Sequence, residues 1–207
     1  MSKPRKTNRT WQQRQAKDPY IQQARKGGWR SRAVFKLKEI LEKEHLLKAD
    51  MLCIDLGASP GSWSQYISVS LKGKTKIIAV DLLPMDGLPS VDFIQGDFTD
   101  CSVAQRLERL LGDDKADLVI SDMAPNITGT KAVDQPRCMH LAEQALDFAE
   151  HSLKSGGSFI CKVFQGQGAD GYITDARQSF GRVKVVKPKA SRSRSSEIYL
   201  VARNFQL

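Results

Sequence analysis

Residues 51–65 read MLCIDLGASPGSWSQ. A short apolar run, MLCI, leads through Asp55 into a turn holding Gly57 and Gly61, and a segment fit for a helix follows. A buried strand that breaks into a glycine turn and a helix start is how a parallel α/β sheet offers backbone to a ligand. The turn is not the dinucleotide one. In Gly57-Ala58-Ser59-Pro60-Gly61-Ser62 the central glycine of G-x-G-x-x-G is absent. Pro60 has also removed an N–H that a pyrophosphate would use. No Gly-Lys-Ser/Thr follows, so it is not a phosphate P-loop either.

Working outward, further apolar runs occur at 76–81 (KIIAVD), 91–95, 117–121 (DLVIS), 158–164 (SFICKVF), 183–187 and 197–202. Helical patterns lie between several of them, at 62–71, 102–111 and 136–154, the last stopped by Gly156-Gly157. Upstream, residues 29–47 carry Val34, Leu37 and Leu41 on one stripe, with Ala33, Ile40 and Leu47 beside it. Strands alternating with helices, apolar enough to be covered on both faces, predict a doubly wound α/β fold with a mostly parallel sheet. The last two runs are joined only by a basic loop, which predicts antiparallel pairing at one side. Residues 1–28 are polar and end at Gly27-Gly28, reading as a loosely held basic arm; 29–207 read as one domain.

The net charge of +9 is unevenly placed. Residues 1–32 hold ten Lys/Arg and one acid, residues 182–196 hold six Lys/Arg and none, and the rest of the chain nets −6. Cations gathered this way among Gln, Asn, Ser and aromatics suit a phosphate backbone. Candidates for RNA phosphates are Arg30, Arg32, Lys187, Lys189, Arg192 and Arg194. No run of eighteen apolar residues exists, so no membrane span is expected, and the basic N-terminus lacks the apolar stretch of a secretory signal. Cys53, Cys101, Cys138 and Cys161 form no C-x-x-C, and His45, His140 and His151 have no metal-ligand spacing. A reduced cytoplasmic protein without a metal is the expectation. No extra apolar surface calls for a dimer, so a monomer is expected.

Ligands of such sheets bind outside the carboxyl ends of the strands. Asp55, Gly57, Pro60, Gly61, Trp63, Asp81, Asp97 and Asp122 all fall at or just after strand ends. A glycine turn aimed at a helix start can hold a carboxylate through its amides. Asp81 is placed for ribose hydroxyls, and Asp97 can accept from an adenine amino group. An acid at a strand end is often only a helix cap. Three such features in order on consecutive strands point to S-adenosylmethionine, which has a carboxylate and an amine but no phosphate.

In SFICKVF, alternation puts Ile160, Lys162 and Phe164 on one face. A lysine in a strand covered on both sides must find partners, because an unpaired buried ammonium costs several kcal/mol. Asp122, opening SDMAPN, and Glu197, at the start of the last strand, are the candidate partners. Lys36 and Lys38 both flank the helical stripe, and spacing does not choose between them.

RSRAVFKL, DLGASPGSWSQ, SDMAPN, CKVFQG and SRSRSSEIYLVA, in this order, resemble the FtsJ-type RNA 2′-O-ribose methyltransferases over nearly the whole chain from about residue 10. The resemblance implies a seven-stranded Rossmann-like sheet with an antiparallel last strand. It implies S-adenosylmethionine as cofactor, held by Gly61, Trp63, Asp81, Asp97 and Asp122. It also places the family's Lys-Asp-Lys-Glu tetrad on Lys36, Asp122, Lys162 and Glu197, choosing Lys36 over Lys38. Within the family the similarity is to the branch that methylates a uridine ribose in the A-loop of 23S ribosomal RNA in the large subunit. The usual turn is Ala-Pro-Gly-Gly; here Ser59 and Ser62 replace the alanine and the second glycine, which is expected to tune cofactor affinity without abolishing it. Lys162 is the natural base for the hydroxyl proton. The alternatives are a transfer RNA or messenger cap 2′-O-methyltransferase, and a non-catalytic RNA-binding assembly factor. A nucleotide-dependent oxidoreductase is disfavoured by the missing glycine.

Overall fold

The computed structural model describes residues 18–206. Most of the basic arm expected at 1–28 therefore lies outside the described residues. Its end forms helix α1 (Pro19–Lys26), with the Asp18 carboxylate accepting from the Tyr20 amide at 3.0 Å. Then come α2 (Val34–Glu44), β1 (Met51–Leu56), α3 (Ser62–Ser70), β2 (Thr75–Asp81), β3 (Val91–Gln95) and α4 (Cys101–Leu111). They are followed by β4 (Ala116–Ser121), α5 (Lys131–Ser152), β5 (Leu153–Phe164), α6 (Ala169–Ser179), β6 (Phe180–Val186) and β7 (Glu197–Phe205).

The seven strands form one sheet in the order β3-β2-β1-β4-β5-β7-β6. β1, β2, β3, β4 and β5 pair in parallel, while β7 runs antiparallel to both β5 and β6. Chain direction through β1 switches the winding from one half of the sheet to the other, so a crevice opens between β1 and β4 at their carboxyl ends. Period-two alternation sends Met51 and Cys53 to one face and Leu52, Ile54 and Leu56 to the other. α2 and α3 cover the first face through Val34, Leu37, Leu41, Trp63 and Ile67. α4, α5 and α6 cover the second. Burial on both faces is what makes the central strands read as continuous apolar runs.

Several boundaries differ from the sequence reading: the helix read at 29–47 spans only Val34–Glu44, β5 begins at Leu153, ahead of 158, and β7 runs to Phe205. α5 begins five residues before Pro136, and it ends at Ser152 with Leu153 already extended (φ −77°, ψ 147°), ahead of Gly156-Gly157. The two glycines instead serve an irregularity in β5: its register against β4 jumps from Ala116↔Leu153 to Leu118↔Ser158, and Gly156 takes φ +79°. α6 was not anticipated. Among the described residues no helix is long and apolar enough to cross a membrane.

Candidate active site

A cavity of about 660 Å³ opens at the carboxyl ends of β1, β2 and β4 and beyond the end of β3, in the crevice the topology predicts. Gly57 lies on its wall with φ +74°, and a Cβ there would sit 2.4 Å from Met123 Cγ, so the turn and the loop after β4 meet with no room for a side chain. Asp81, Asp97 and Asp122 face the same space, against one arginine, Arg137, and His140. Three carboxylates repel a pyrophosphate and favour a ligand with cationic groups and hydroxyls. Asp81 accepts from the Ser59 amide at 2.8 Å and the Leu83 amide at 2.7 Å, which joins the β1 turn to the loop after β2. Asp97 caps its own loop through one oxygen, accepting from the Thr99 amide at 3.0 Å and hydroxyl at 2.7 Å. Asp97 is also part of the cavity lining.

Beside this cavity the structure brings Lys36, Asp122, Lys162 and Glu197 together. Register places Lys162 on β5 opposite Tyr199 on β7, and Glu197 opposite Phe164. Asp122 follows the last residue of β4. Lys162 Nζ donates to the Asp122 carbonyl at 2.5 Å and lies 3.2 Å from the Asp122 carboxylate, with its side chain 8% exposed. Two of its three donor directions are thereby fixed, leaving one for an incoming oxygen. Lys36, reaching in from α2, meets Glu197 Oε1 at 2.9 Å and donates to the Tyr199 hydroxyl at 3.0 Å. Tyr199 OH in turn donates to Asp122 Oδ1 at 2.7 Å. Burial works to raise the Asp122 carboxyl, but the Lys162 and Lys36 cations and the Tyr199 hydroxyl outweigh it and hold it below the ordinary carboxylate range. Burial, then the Asp122 and Glu197 charges, pushes the Tyr199 phenol well above its usual value, so it stays a donor.

Lys38 stands on the outer side of α2, 46% exposed and 3.8 Å from Glu42. Tyr199, which sequence reasoning missed, links the two ion pairs. Alternation from Glu197 would have placed it on the same face, but a tyrosine in an apolar run reads as core.

Other expected cofactor residues do not line the cavity. Asp55 is buried and accepts from the Ser64 amide at 3.1 Å and hydroxyl at 2.7 Å, anchoring the first turn of α3. Trp63 is buried, donates its indole N–H to the Ala33 carbonyl at 2.9 Å and tilts against Tyr199 at 5.9 Å between ring centres. Pro60 is exposed, with its carbonyl accepting from Arg30, and Gly61 is buried against Met85 and Arg30, outside the cavity lining. Of the residues expected to meet RNA, Arg32 is held internally: it pairs with Asp18 at 3.2 Å, donates to the Ala190 carbonyl at 2.5 Å and lies over the Tyr20 ring. Lys187 donates to the Ser195 carbonyl at 2.8 Å. Lys189, Arg192 and Arg194 are exposed. A second cavity of about 560 Å³ lies at the opposite end of the sheet and contains none of the tetrad.

The FtsJ-like methyltransferase family profile matches residues 29–205. A protein of Legionella pneumophila (strain Lens) named ribosomal RNA large subunit methyltransferase E is 50% identical over 202 residues, 98% of each chain. A Pseudomonas fluorescens (strain Pf0-1) protein of the same name is 49% identical over 97% of this chain and 96% of its own. Among solved structures, a Plasmodium falciparum protein assigned as a ribosomal RNA methyltransferase superposes with a TM-score of 0.78 at 35% identity, over 86% of this chain and 98% of that one. A profile match over so much of the chain, with relatives at this identity, places it: the chain belongs to the FtsJ-like methyltransferase family.

Proposed function

We propose that the protein transfers a methyl group from S-adenosylmethionine to the ribose 2′-hydroxyl of a uridine in 23S ribosomal RNA, in the A-loop of the large subunit. The observation that carries this reading is the buried Lys162 head, held by Asp122 at the mouth of an acid-lined cavity with one donor direction left over. The names of the relatives support a large-subunit RNA as substrate.

When bound, S-adenosylmethionine supplies a methyl group activated by its positive sulfonium. The residues of this chain do the rest. Asp81 accepts from ribose hydroxyls of the cofactor, Asp97 from its adenine amine, and the summed charge of Asp81, Asp97 and Asp122 favours its cationic groups. Acting as the neutral amine, with two N–H directions on Asp122 and its lone pair in the third, Lys162 holds the substrate 2′-oxygen in line, an alignment worth several kcal/mol of barrier, and takes the hydroxyl proton on that lone pair to become the ammonium. Asp122 fixes the Lys162 head, while Lys36, Tyr199 and Glu197 fix Asp122. Lys189, Arg192 and Arg194, on the loop that leads into Glu197, grip neighbouring phosphates.

The test is transfer of a labelled methyl from S-adenosylmethionine to large subunits lacking the modification. Label should appear as 2′-O-methyluridine with the wild type, and Lys162→Ala should lower the rate by about 10²–10⁴-fold with cofactor binding kept. A single-turnover rate that rises with pH to a plateau supports proton transfer to Lys162; a flat profile leaves it an orienting role alone. No label on subunits, with label on transfer RNA, would move the substrate assignment.

A further inference from the structure

Arg30 stands in the basic N-terminal segment, where a phosphate-binding arginine is expected, yet its guanidinium is already engaged. Nη1 donates to the Pro60 carbonyl at 3.0 Å and the Asp86 carbonyl at 2.7 Å, and Nη2 to the Gly87 carbonyl at 2.8 Å. The side chain therefore spans from the glycine turn after β1 to the loop at 82–88 after β2. Its own backbone is fixed from below: the Arg30 amide donates to Gln65 Oε1 at 3.1 Å, and Gln65 Nε2 donates to the Gly28 carbonyl at 2.9 Å. Gln65 belongs to α3, so Arg30 is braced on a helix while it holds a loop.

The loop at 82–88 has no helix or strand of its own. Leu82 and Leu83 form part of the cavity wall and are 65% and 63% exposed. Burial alone does little to hold such residues in place. The two serines by which the turn departs from Ala-Pro-Gly-Gly act in the same sense. Ser59 Oγ donates to the Pro84 carbonyl at 3.2 Å, and Ser62 Oγ lies 2.8 Å from Ser31 Oγ, beside Arg30. Gly61 leaves the space the assembly needs: a Cβ there would meet Met85 Sδ at 2.7 Å and Arg30 Nη1 at 2.8 Å.

We propose that Arg30 is a positioning residue for the cofactor cavity, a strap that holds the 82–88 loop against the glycine turn so that the apolar wall exists before the cofactor arrives. Ser59 reinforces it. This inference rests on the S-adenosylmethionine reading of the cavity. It assigns Arg30 to the cofactor side of the molecule and leaves phosphate contact to the exposed cations. Arginine suits the role because its rigid planar fork presents two separate nitrogens to carbonyls on two chain segments, Nη1 to Pro60 and Asp86 and Nη2 to Gly87, whereas a lysine would have to serve all three from one nitrogen.

The experiment titrates S-adenosylmethionine calorimetrically into the full-length wild type and into Arg30→Lys, Arg30→Ala and Ser59→Ala. It also follows hydrogen exchange at 82–88 without ligand, and large-subunit binding against salt. Arg30→Ala should weaken cofactor binding about tenfold, Arg30→Lys by nearly as much, and Ser59→Ala about threefold, from the usual net worth of the hydrogen bonds lost. Exchange at 82–88 should quicken in all three, while subunit affinity and its salt slope stay as in the wild type. The strap is overturned if the Arg30 variants bind cofactor and exchange like the wild type. It is equally overturned if Arg30→Ala loses subunit affinity that Arg30→Lys retains, which is the mark of a phosphate contact. Failure of the wild type to bind S-adenosylmethionine is a different result and overturns the reading of the cavity itself.

Discussion

At the scale of single residues, the site is two ion pairs joined by a phenol. The Tyr199 hydroxyl joins Lys36–Glu197 to Lys162–Asp122 by hydrogen bonds, accepting from Lys36 and donating to Asp122, and adds to the direct attraction between Lys36 and Asp122. Tyr199→Phe keeps the buried ring against Trp63 and removes only that link. It should cost about 1–2 kcal/mol in urea denaturation, because Asp122 and Lys36 each lose a hydrogen bond. Turnover should slow while cofactor affinity holds; an unchanged unfolding midpoint would show that the link contributes nothing. Asp55 gives a second test. Burial first, with the Asp122 and Asp81 charges adding and the Ser64 hydrogen bonds opposing, pushes its carboxyl up to about 7. A folded value above the unfolded one, about 3.9, means the contribution is fully present below about pH 4 and is lost as pH rises through 7. Asp55→Asn does not titrate, so its stability relative to the wild type should climb between pH 4 and 8, by on the order of 4 kcal/mol. Parallel pH curves for the two proteins would sink this account. Asp122 has the opposite sign: its stabilisation is present above the ordinary carboxylate range and fades as pH falls through its lowered folded value. Lys162 was legible because a lysine inside an apolar strand is a local conflict. Lys36 was not legible from spacing, since Lys38 flanks the same stripe and only the crossing of α2 over β7 separates them. Tyr199 was hidden because a tyrosine fits a buried strand without conflict.

At the scale of elements, the loops after the strands do the positioning, and each is fastened by a residue from elsewhere. The loop after β4 is held from α5: Asp134 accepts from the Thr128 amide and hydroxyl, both at 2.8 Å, and from the Gly129 amide at 2.8 Å. The Thr128 amide is the main reason the Asp134 carboxyl lies below its ordinary value. Asp134→Ala should free 123–130, seen as faster amide exchange there and a raised KM for cofactor and RNA; unchanged exchange would assign the order of this loop to other contacts. Gly57→Ala tests the turn after β1. Its positive φ and the 2.4 Å approach to Met123 Cγ give an added methyl no place. Cofactor affinity should fall more than tenfold while far-ultraviolet dichroism stays that of the wild type. Wild-type affinity would mean that Met123 moves aside freely. The strands were legible from apolar runs because burial on both faces leaves little other choice of residue. The start of α5 was not: Pro136 suits a first helical position, whereas the helix enters at Lys131 with Asp134 reaching back. α6 buries only Ala169, Tyr172 and Ala176, two of them small, so its periodicity is faint. Gly156-Gly157 reads equally as a helix stop or as a bend in a strand, and only the β4 register separates the two.

At the scale of the whole molecule, charge marks two basic segments in the sequence but does not say which of their arginines face outward. A guanidinium fork binds protein carbonyls as readily as phosphates, so Arg30 and Arg32 look like Arg192 and Arg194 in the sequence and do different work in the fold. Arg32 joins α1 to the 182–196 segment through Asp18 and the Ala190 carbonyl, and its replacement belongs with stability. Arg192 and Arg194 are exposed on the loop that runs into Glu197, and Glu197 holds Lys36. On the proposed function, phosphates gripped there would lie within a few residues of Glu197, so that backbone contact and alignment of the reacting ribose would share one loop. Each phosphate contact that displaces a counterion contributes about 0.7–0.9 to the slope of log affinity against log salt. The double change Arg192→Ala with Arg194→Ala should flatten that slope for large subunits by about 1.5 and weaken binding most at low salt. S-adenosylmethionine affinity and the thermal midpoint should be those of the wild type, because neither guanidinium lines the cavity. Arg32→Ala should do the reverse, lowering the midpoint and leaving the slope alone. An unchanged slope in the double variant would remove this loop from the RNA surface, leaving the N-terminal segment as the phosphate grip.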